Sequence, residues 1–571
     1  MNKSFLLQIT AATALAVSAL TTQAQTPVAP QAPQYGGSLT VSPYQFGLSA
    51  LSWDPADWNW KVNVDAGPYM EQLMVGDLSK GIRGGGTYRF SSEAYVPPSV
   101  LRGELIESWK LNEKPLSIEM KLRQGVMWQA REGVMAEREF IAEDVVYAFN
   151  RQIKSPKAVK DHFEFIDRVE TKDKDTVIFY LNKYNAEWEV RLGYGFYFAL
   201  MPKEVAEAPN GGGTNWRNAS GTGPFKITDF VQGSHGTYTK NQGYWDSERI
   251  AGKSYKLPFV NTLTIRTIRD QQTRMAAFRT GKIDVLLNAS WKDVEQIKSI
   301  MPKLKFRENP HFGGTALALR TDMKPFDDIR VRRAMNMAVD KQAILKSFYG
   351  GAAALVHMPM SSGWTDYYTP VDKMPPAVRE LYEFNPAKAK ELLAQAGHPN
   401  GFEFKMQIAT NVPESVEVAQ LVAAYLARIG VKMTIETLEY GAYMSIMTTS
   451  KHGPGYWHQV GLSNPTMSLD KLFSSDSAWN TPRLKDPKID QALEQIMAER
   501  DEAKRIPLVK ALNQYAMEQA PFIFLPVPNS FVVWWPWVKN YEGEQAVGAQ
   551  RNAPIWARVW IDEALKKQMG F

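Results

Sequence analysis

Residues 325–351, PFDDIRVRRAMNMAVDKQAILKSFYGG, decide how the rest of the chain is read. Asp328 is placed to cap a helix that starts at Ile329 or Arg330, its carboxylate accepting from the open backbone donors of the first turn. Val331, Ala334, Met335, Ala338 and Val339 recur at helical spacing and give that helix one apolar face. Arg330, Arg332 and Arg333 crowd the rest of its first turns. Asp340 is a second cap, for a helix over 341–348. The stretch therefore predicts a buried helix, a corner and a shorter helix ending near Gly350, with no reacting group in it.

The chain has 571 residues, well beyond the roughly 100–200 of a typical domain, so several cores or one large segmented body are expected. Hydrophobic residues make up 44% and charged residues 22%, the balance of a soluble globular protein. A net charge of +6 with no Lys/Arg run argues against a nucleic-acid partner. The N-terminus predicts export. Lys3 supplies a positive start, residues 5–20 an apolar stretch, and Thr22-Gln23-Ala24 a small-residue cleavage site, so 1–24 is a cleavable signal peptide. It is too short and too polar to span a membrane, and no other apolar run is long enough, so the mature chain is not expected to be membrane-inserted. Residues 25–35 form a Pro/Gln/Ala linker. Cysteine is absent, which removes disulfides and a lipid-anchored N-terminus and points to a Gram-negative periplasm.

Strand and helix signals alternate along the remainder. Residues 38–41 form a first strand after the Gly36-Gly37 turn, and Leu51, Trp53, Asp54 and Pro55 make the step beyond it. Trp58 and Trp60 follow, as stacking or core aromatics. LSIEMKLR, 116–123, alternates strictly, with Leu116, Ile118, Met120 and Leu122 on one face. Val145, Ala148, Phe149 and Ile153 mark a helix face after Phe140. Another strand covers 175–181, and a helix over 272–280 stops at Gly281. Asn385-Pro386 opens a helix as an N-cap and N1 pair, closed by Gly397. Val418, Leu421, Val422, Tyr425, Leu426 and Ile429 form a stripe ending at Gly430, and Val431, Met433 and Ile435 then alternate as a strand. Helix, Gly, strand is half of a βαβ unit. Gly84-Gly85-Gly86 lacks the context of a dinucleotide loop, and Gly252-Lys253-Ser254 lacks the first Gly of a phosphate loop, since residue 247 is Ser.

The opening stretch resembles the extracytoplasmic solute-binding proteins of the peptide, nickel and opine class, whose pattern there is approximately P-F-D-D-x-R-V-R-x-A-x-x-x-A-x-D-[RK]. Further segments resemble that family: the block from 116 to 146, Gly221-Thr222-Gly223-Pro224-Phe225, Lys240 to Trp245 with Gln242 in place of Pro, and Ile283-Asp284. Within the first block Ile141 replaces Thr, and the loop around Glu132-Gly133 is longer than the pattern. The resemblance implies an α/β, two-lobed periplasmic binding protein fold of the large Venus-flytrap type, with an extra subdomain inserted in the first lobe. It divides the chain into 36–75 (first lobe), 76–200 (inserted subdomain), 201–308 (first lobe), 309–528 (second lobe) and 529–571 (first lobe). It also implies a monomer without cofactor that closes on a small polar organic solute and hands it to an inner-membrane ABC permease.

Peptide-binding relatives pair an Asp, in a W-x-x-D-x-x-x-P context, with the peptide's α-ammonium, a charge costly to bury alone. Anchored on Pro465, that context puts Gly461 at the Asp position. Trp53, Tyr456, Trp457, His458 and Asn464 are the candidate ligand-binding residues, against plain packing as the other reading. A peptide or peptide-like solute comes first, an oligosaccharide or opine-like solute second. A secreted hydrolase is the competing class. Against it, His452 and His458 are six apart and so off a common helical face, no HExxH or G-x-S-x-G occurs, and thiol nucleophiles are excluded. No catalytic residue and no metal ligand is assigned.

Overall fold

The computed structural model describes residues 32–571 apart from 44–51, 58–62, 92–94, 157–161, 312, 411–412 and 462–463. The signal peptide, Leu51, Trp58 and Trp60 lie outside the described residues.

Asp328 caps the helix Ile329–Met337, accepting from the Arg330 backbone N–H at 2.8 Å, and the expected apolar face is buried. Arg332 departs from expectation. Its guanidinium is buried and donates to the carbonyls of Phe326 at 2.7 Å and Gln519 at 2.8 Å, covering backbone acceptors that water cannot reach. Asn336, also buried, donates to the Phe522 carbonyl at 2.8 Å and accepts from the Phe524 N–H at 3.3 Å. Helix and strand Phe522–Phe524 are thus joined by a polar side chain as well as by packing. Asp340 accepts from the Ala343 N–H at 2.8 Å, and the short helix Lys341–Ala343 widens into a π turn over Ile344–Phe348.

Two large sheets organise the chain. The first has seven strands, in the order Phe225–Val231, His235–Lys240, Thr262–Arg266, Ser38–Ser42, Val285–Ala289, Ser530–Trp534, Lys305–Asn309. Ser38–Ser42 sits at its centre, parallel to Thr262–Arg266 and to Val285–Ala289. The second has five strands, Lys432–Leu438, Glu403–Ala409, Gly455–Gly461, Gly313–Leu319, Phe522–Phe524. Its parallel pair Glu403–Ala409 and Lys432–Leu438 is joined through the helix Pro413–Ala427, the expected βαβ unit. Val418, Val422, Leu426 and Ile429 are buried as expected, but Leu421 is exposed and Ala419 takes its place at the centre of the stripe.

A smaller antiparallel sheet of Ile106–Glu113, Leu116–Leu122, Thr176–Leu181 and Ile166–Asp173 carries the helix Ala142–Ile153. Ile118, Met120 and Leu122 point inward as the alternation requires. Val145, Ala148 and Phe149 are buried, whereas Ile153, in the helix's last turn, is exposed. One continuous core joins this sheet to the first large sheet, while the second large sheet has a separate core on each face.

Asn336→Ala should lower stability by about 1–3 kcal/mol in a urea titration, because it strands a buried carbonyl and a buried N–H. Arg330→Ala, which removes an exposed pair with Asp328, should leave the urea midpoint essentially unchanged.

Candidate functional site

The strand Gly455–Gly461 lies in the middle of the second sheet, antiparallel to Gly313–Leu319 and parallel to Glu403–Ala409. Strand periodicity sends Tyr456 and His458 to one face and Trp457 to the other. Tyr456 stacks on Tyr443 with ring centroids 4.5 Å apart and donates to the Tyr443 carbonyl at 3.1 Å. His458 meets Phe522 at 5.7 Å, and its Nδ1 is 2.8 Å from the Thr481 hydroxyl. Trp457 is packed in the opposite core. All three are essentially without solvent exposure, beneath helices, and so stand behind any cleft surface in this structure. Trp53 is buried in the first lobe, edge-on to Phe230 at 4.7 Å and stacked on Tyr69 at 6.5 Å.

Asn464 has a different position. It caps the helix Pro465–Phe473, its side chain accepting from the Met467 N–H at 2.8 Å, so its role in this structure is to fix how that helix leaves the strand's end. Met467 then reaches the other lobe. Its sulfur accepts from the Tyr197 hydroxyl, and its side chain belongs to the first lobe's core.

Around that contact the lobes meet along a polar and aromatic seam. The first lobe contributes Tyr95 and the segment from Tyr184 to Tyr197, which includes a π turn over Glu189–Tyr194. The second contributes Trp364, Tyr367, Met467, Met497 and Glu502. Tyr95 donates to Glu502 at 2.8 Å, Tyr367 donates to the same oxygen at 3.2 Å, and the Tyr95 ring lies 6.2 Å from Trp364 and 6.0 Å from Tyr367. The Ala186 N–H donates to the Met497 carbonyl at 3.0 Å. Arg500 pairs with Glu113 at the rim.

Charge in the seam is restrained. Arg191 and Glu187 pair at 2.8 Å, both nearly inaccessible. Burial raises the Glu187 carboxyl against the pull of Arg191. Glu189 is pushed up to about 7, first by burial and then by Glu502, with Arg505 opposing. His162, 4.6 Å from the Tyr197 ring, is pushed down to about 3 by burial and by the nearby Arg191 and Lys471. Sequence reasoning passed over Tyr95, Glu189, Arg191, Tyr197, Met467 and Glu502. The one available signal was the Asn464-Pro465 pair, the same cap-and-N1 pattern read correctly at Asn385-Pro386. Among the described residues no cluster of three His, Asp or Glu is arranged to hold a metal ion, and no helix is long and apolar enough to cross a membrane.

The Glu189 carboxyl holds its proton in the folded chain up to a higher pH than in the unfolded chain. Its contribution is therefore complete below about pH 4.5 and is lost as pH rises through about 7. Glu189→Gln should stabilise the protein by about 1–2 kcal/mol at pH 8, after discounting for its partial exposure, and by nothing measurable at pH 4. Paired thermal melts at the two pH values check this.

Comparison with known proteins gives a consistent result. The family model for bacterial extracellular solute-binding proteins, family 5 Middle, matches residues 100–480. Heme-binding protein A of Haemophilus influenzae is 29% identical over 462 residues, 76% of this chain and 81% of that protein. The dipeptide-binding protein of Escherichia coli is 26% identical over 462 residues, covering 76% and 83%. Among solved structures, the periplasmic binding protein DppA of Helicobacter pylori in complex with the peptide STSA has a TM-score of 0.73 at 25% identity, covering 93% of this chain and 99% of that one. HbpA2 of Haemophilus parasuis has a TM-score of 0.71 at 23% identity, covering 92% and 100%.

Proposed function

Because the chain belongs to the family 5 bacterial extracellular solute-binding proteins, we propose that it takes up a peptide or peptide-like solute between its lobes, closes on it, and presents it to an inner-membrane ABC permease. Its place in an ABC importer as the substrate-binding component follows from the family and its relatives. The observation that carries the closing motion is the seam itself. Tyr197 on Met467, and Tyr95 with Tyr367 on Glu502, join segments that belong to the two different lobes, as a closed arrangement would. A solute shifts the balance between open and closed forms by the difference in its contacts to the two. Even micromolar affinity corresponds to about −8 kcal/mol after the cost of closure.

The solute class rests on the relatives, several of which are named for dipeptides or di/tripeptides. Gly461 favours a second reading within the same role. With no carboxylate at that position to meet an α-ammonium, a solute without a free amino terminus fits as well, including an opine-like acid or, as the name of the Haemophilus influenzae relative suggests, a porphyrin. Further parts of this proposal are a monomer held in the periplasm after removal of residues 1–24, and lobes divided at 75, 200, 308 and 528. The strand memberships of the two large sheets support the divisions near 308 and 528.

Denaturing mass spectrometry of the freshly purified protein should release a small organic molecule. That molecule, added back at about 100 times its dissociation constant, should add about 2.7 kcal/mol of stability and reduce the radius of gyration in solution scattering. Chemical turnover of the molecule would instead favour a secreted hydrolase.

A further inference from the structure

Lys471 is the unexplained charge of the seam. Met467 and Lys471 are one helical turn apart on Pro465–Phe473 and share a face. Met467 carries that face into the first lobe, so the Lys471 side chain emerges beside the interlobe contact. Its ammonium lies 3.9 Å above the ring centre of Trp479. Among the described residues no carboxylate forms an ion pair with it, although the seam's arginines Arg191 and Arg500 both have such partners.

A cation half-buried against an aromatic wall with no counter-ion is costly, because desolvation is compensated only by the ring. The surroundings deepen the cost. Lys471 presses on His162 from across the seam and Arg191 from within the first lobe, and Lys471 also presses on His458 in its own lobe, so the local potential is positive. Burial alone lowers the Lys471 ammonium to about 8, with no acidic group pulling it back.

Two further polar side chains lie buried behind it with an unpartnered atom each. His458 is fully buried and packs edge-on against the same Trp479, at 6.4 Å. Its Nδ1 is engaged by Thr481, and its Nε2 has no hydrogen-bond partner. Ser468, buried and three residues before Lys471 on the helix, has an unpartnered hydroxyl. The chemical complement of an ammonium without a counter-ion, in a positive surrounding, is a small oxyanion.

We propose that Lys471, with Trp479 as its wall, is the subsite that receives a carboxylate of the bound solute. The proposal rests on the receptor reading above and specifies it: the solute is held by its acidic end, matching the absence of an acid at Gly461. A peptide C-terminus and a porphyrin propionate offer the same group.

The test compares wild type with Lys471→Met and Lys471→Arg by thermal shift and titration calorimetry. Two probe pairs are used: trialanine with its C-terminal amide, and hemin with its dimethyl ester. Without probe, Lys471→Met should melt about 1–2 °C higher than wild type, because it deletes an uncompensated charge. In wild type, the free acid of whichever pair binds should raise the melting point and its neutral partner should not. Lys471→Met should bind that acid about ten- to a hundredfold more weakly, and Lys471→Arg should retain most of the response. A peptide source and a porphyrin source are told apart by which pair responds. If Lys471→Met melts below wild type, the ammonium is structural and the subsite is overturned. If acid and neutral forms act equally on wild type, or Lys471→Met responds as wild type does, the subsite is overturned while the receptor reading stands. A wild type moved by no member of either pair counts against both.

Discussion

The architecture depends on two chain crossings that lie side by side. Lys305–Asn309 ends in the first sheet and Gly313–Leu319 begins in the second, while Phe522–Phe524 ends in the second and Ser530–Trp534 begins in the first. The partners are the same on both sides: Asn309 pairs with Ser530 in one sheet, and Ala316 pairs with Phe524 in the other. Local contacts hold the crossings in register. Ala353 and Ala354 pair with Pro528 and Val527, Asn529 donates to Glu308 at 2.7 Å, and His357 lies 2.7 Å from the His311 carbonyl. Two adjacent strands tethered at both ends can bend together at little cost but resist sliding past one another, since sliding would break a ladder in each sheet. Relative motion of the lobes is thereby reduced to opening and closing.

That constraint makes the seam decisive. A receptor whose lobes bound each other tightly would close without cargo, so the contacts between them have to be individually weak. Tyrosine hydroxyls on one carboxylate, a thioether accepting a hydroxyl and a single exposed ion pair meet this need. The thioether contact and the exposed ion pair are each worth about 1 kcal/mol or less, and each hydroxyl bond to the carboxylate about 1.5–3 kcal/mol. The most buried ion pairs are made within a lobe, at the seam as Arg191 with Glu187 and also away from it. Arg551 with Glu104, at 2.9 Å, and Arg558 with Asp246, at 2.6 Å, lock parts of the first lobe to its C-terminal segment. Among the described residues, the buried ion pairs each stay inside one lobe, and the pair that bridges the lobes is exposed.

Much of the local structure was legible because it obeys local rules. Asp328, Asp340 and Asn385 cap the helices they were expected to cap, and the alternation of 116–122 faces the core it predicts. The departures share one cause, tertiary context overriding a one-dimensional pattern. Arg332 reads as a surface residue until the carbonyls of Phe326 and Gln519 are brought over it. Tyr456, Trp457 and His458 read as pocket aromatics because they are large and adjacent, but adjacency on a strand separates side chains, and both faces of this strand are covered. The seam was illegible for a further reason. Its first-lobe wall runs through a π turn with no simple period, and its central contact joins residues 270 positions apart.

Strand polarity explains why the seam forms where it does. In a sheet with parallel strands, helices begin just beyond the carboxyl ends, so those ends present capped helix N-termini and whatever the first helical turn carries. Val285–Ala289 ends at Ser290, which caps the helix Trp291–Ile300, and Trp291 packs on both lobes, close enough to Gly350 of the second that a Cβ there would lie 2.9 Å from its ring. Gly455–Gly461 ends just before Asn464, which caps Pro465–Phe473, and Met467 packs into the first lobe. The two sheets thus aim the same kind of strand end at one another. A solute entering between them meets helix starts and the side chains of their first two turns, whereas residues within the strands stay behind as support. For this reason a wall of the cleft is better sought one to two turns after a strand than along it, and Lys471, seven residues beyond its cap, lies within that reach.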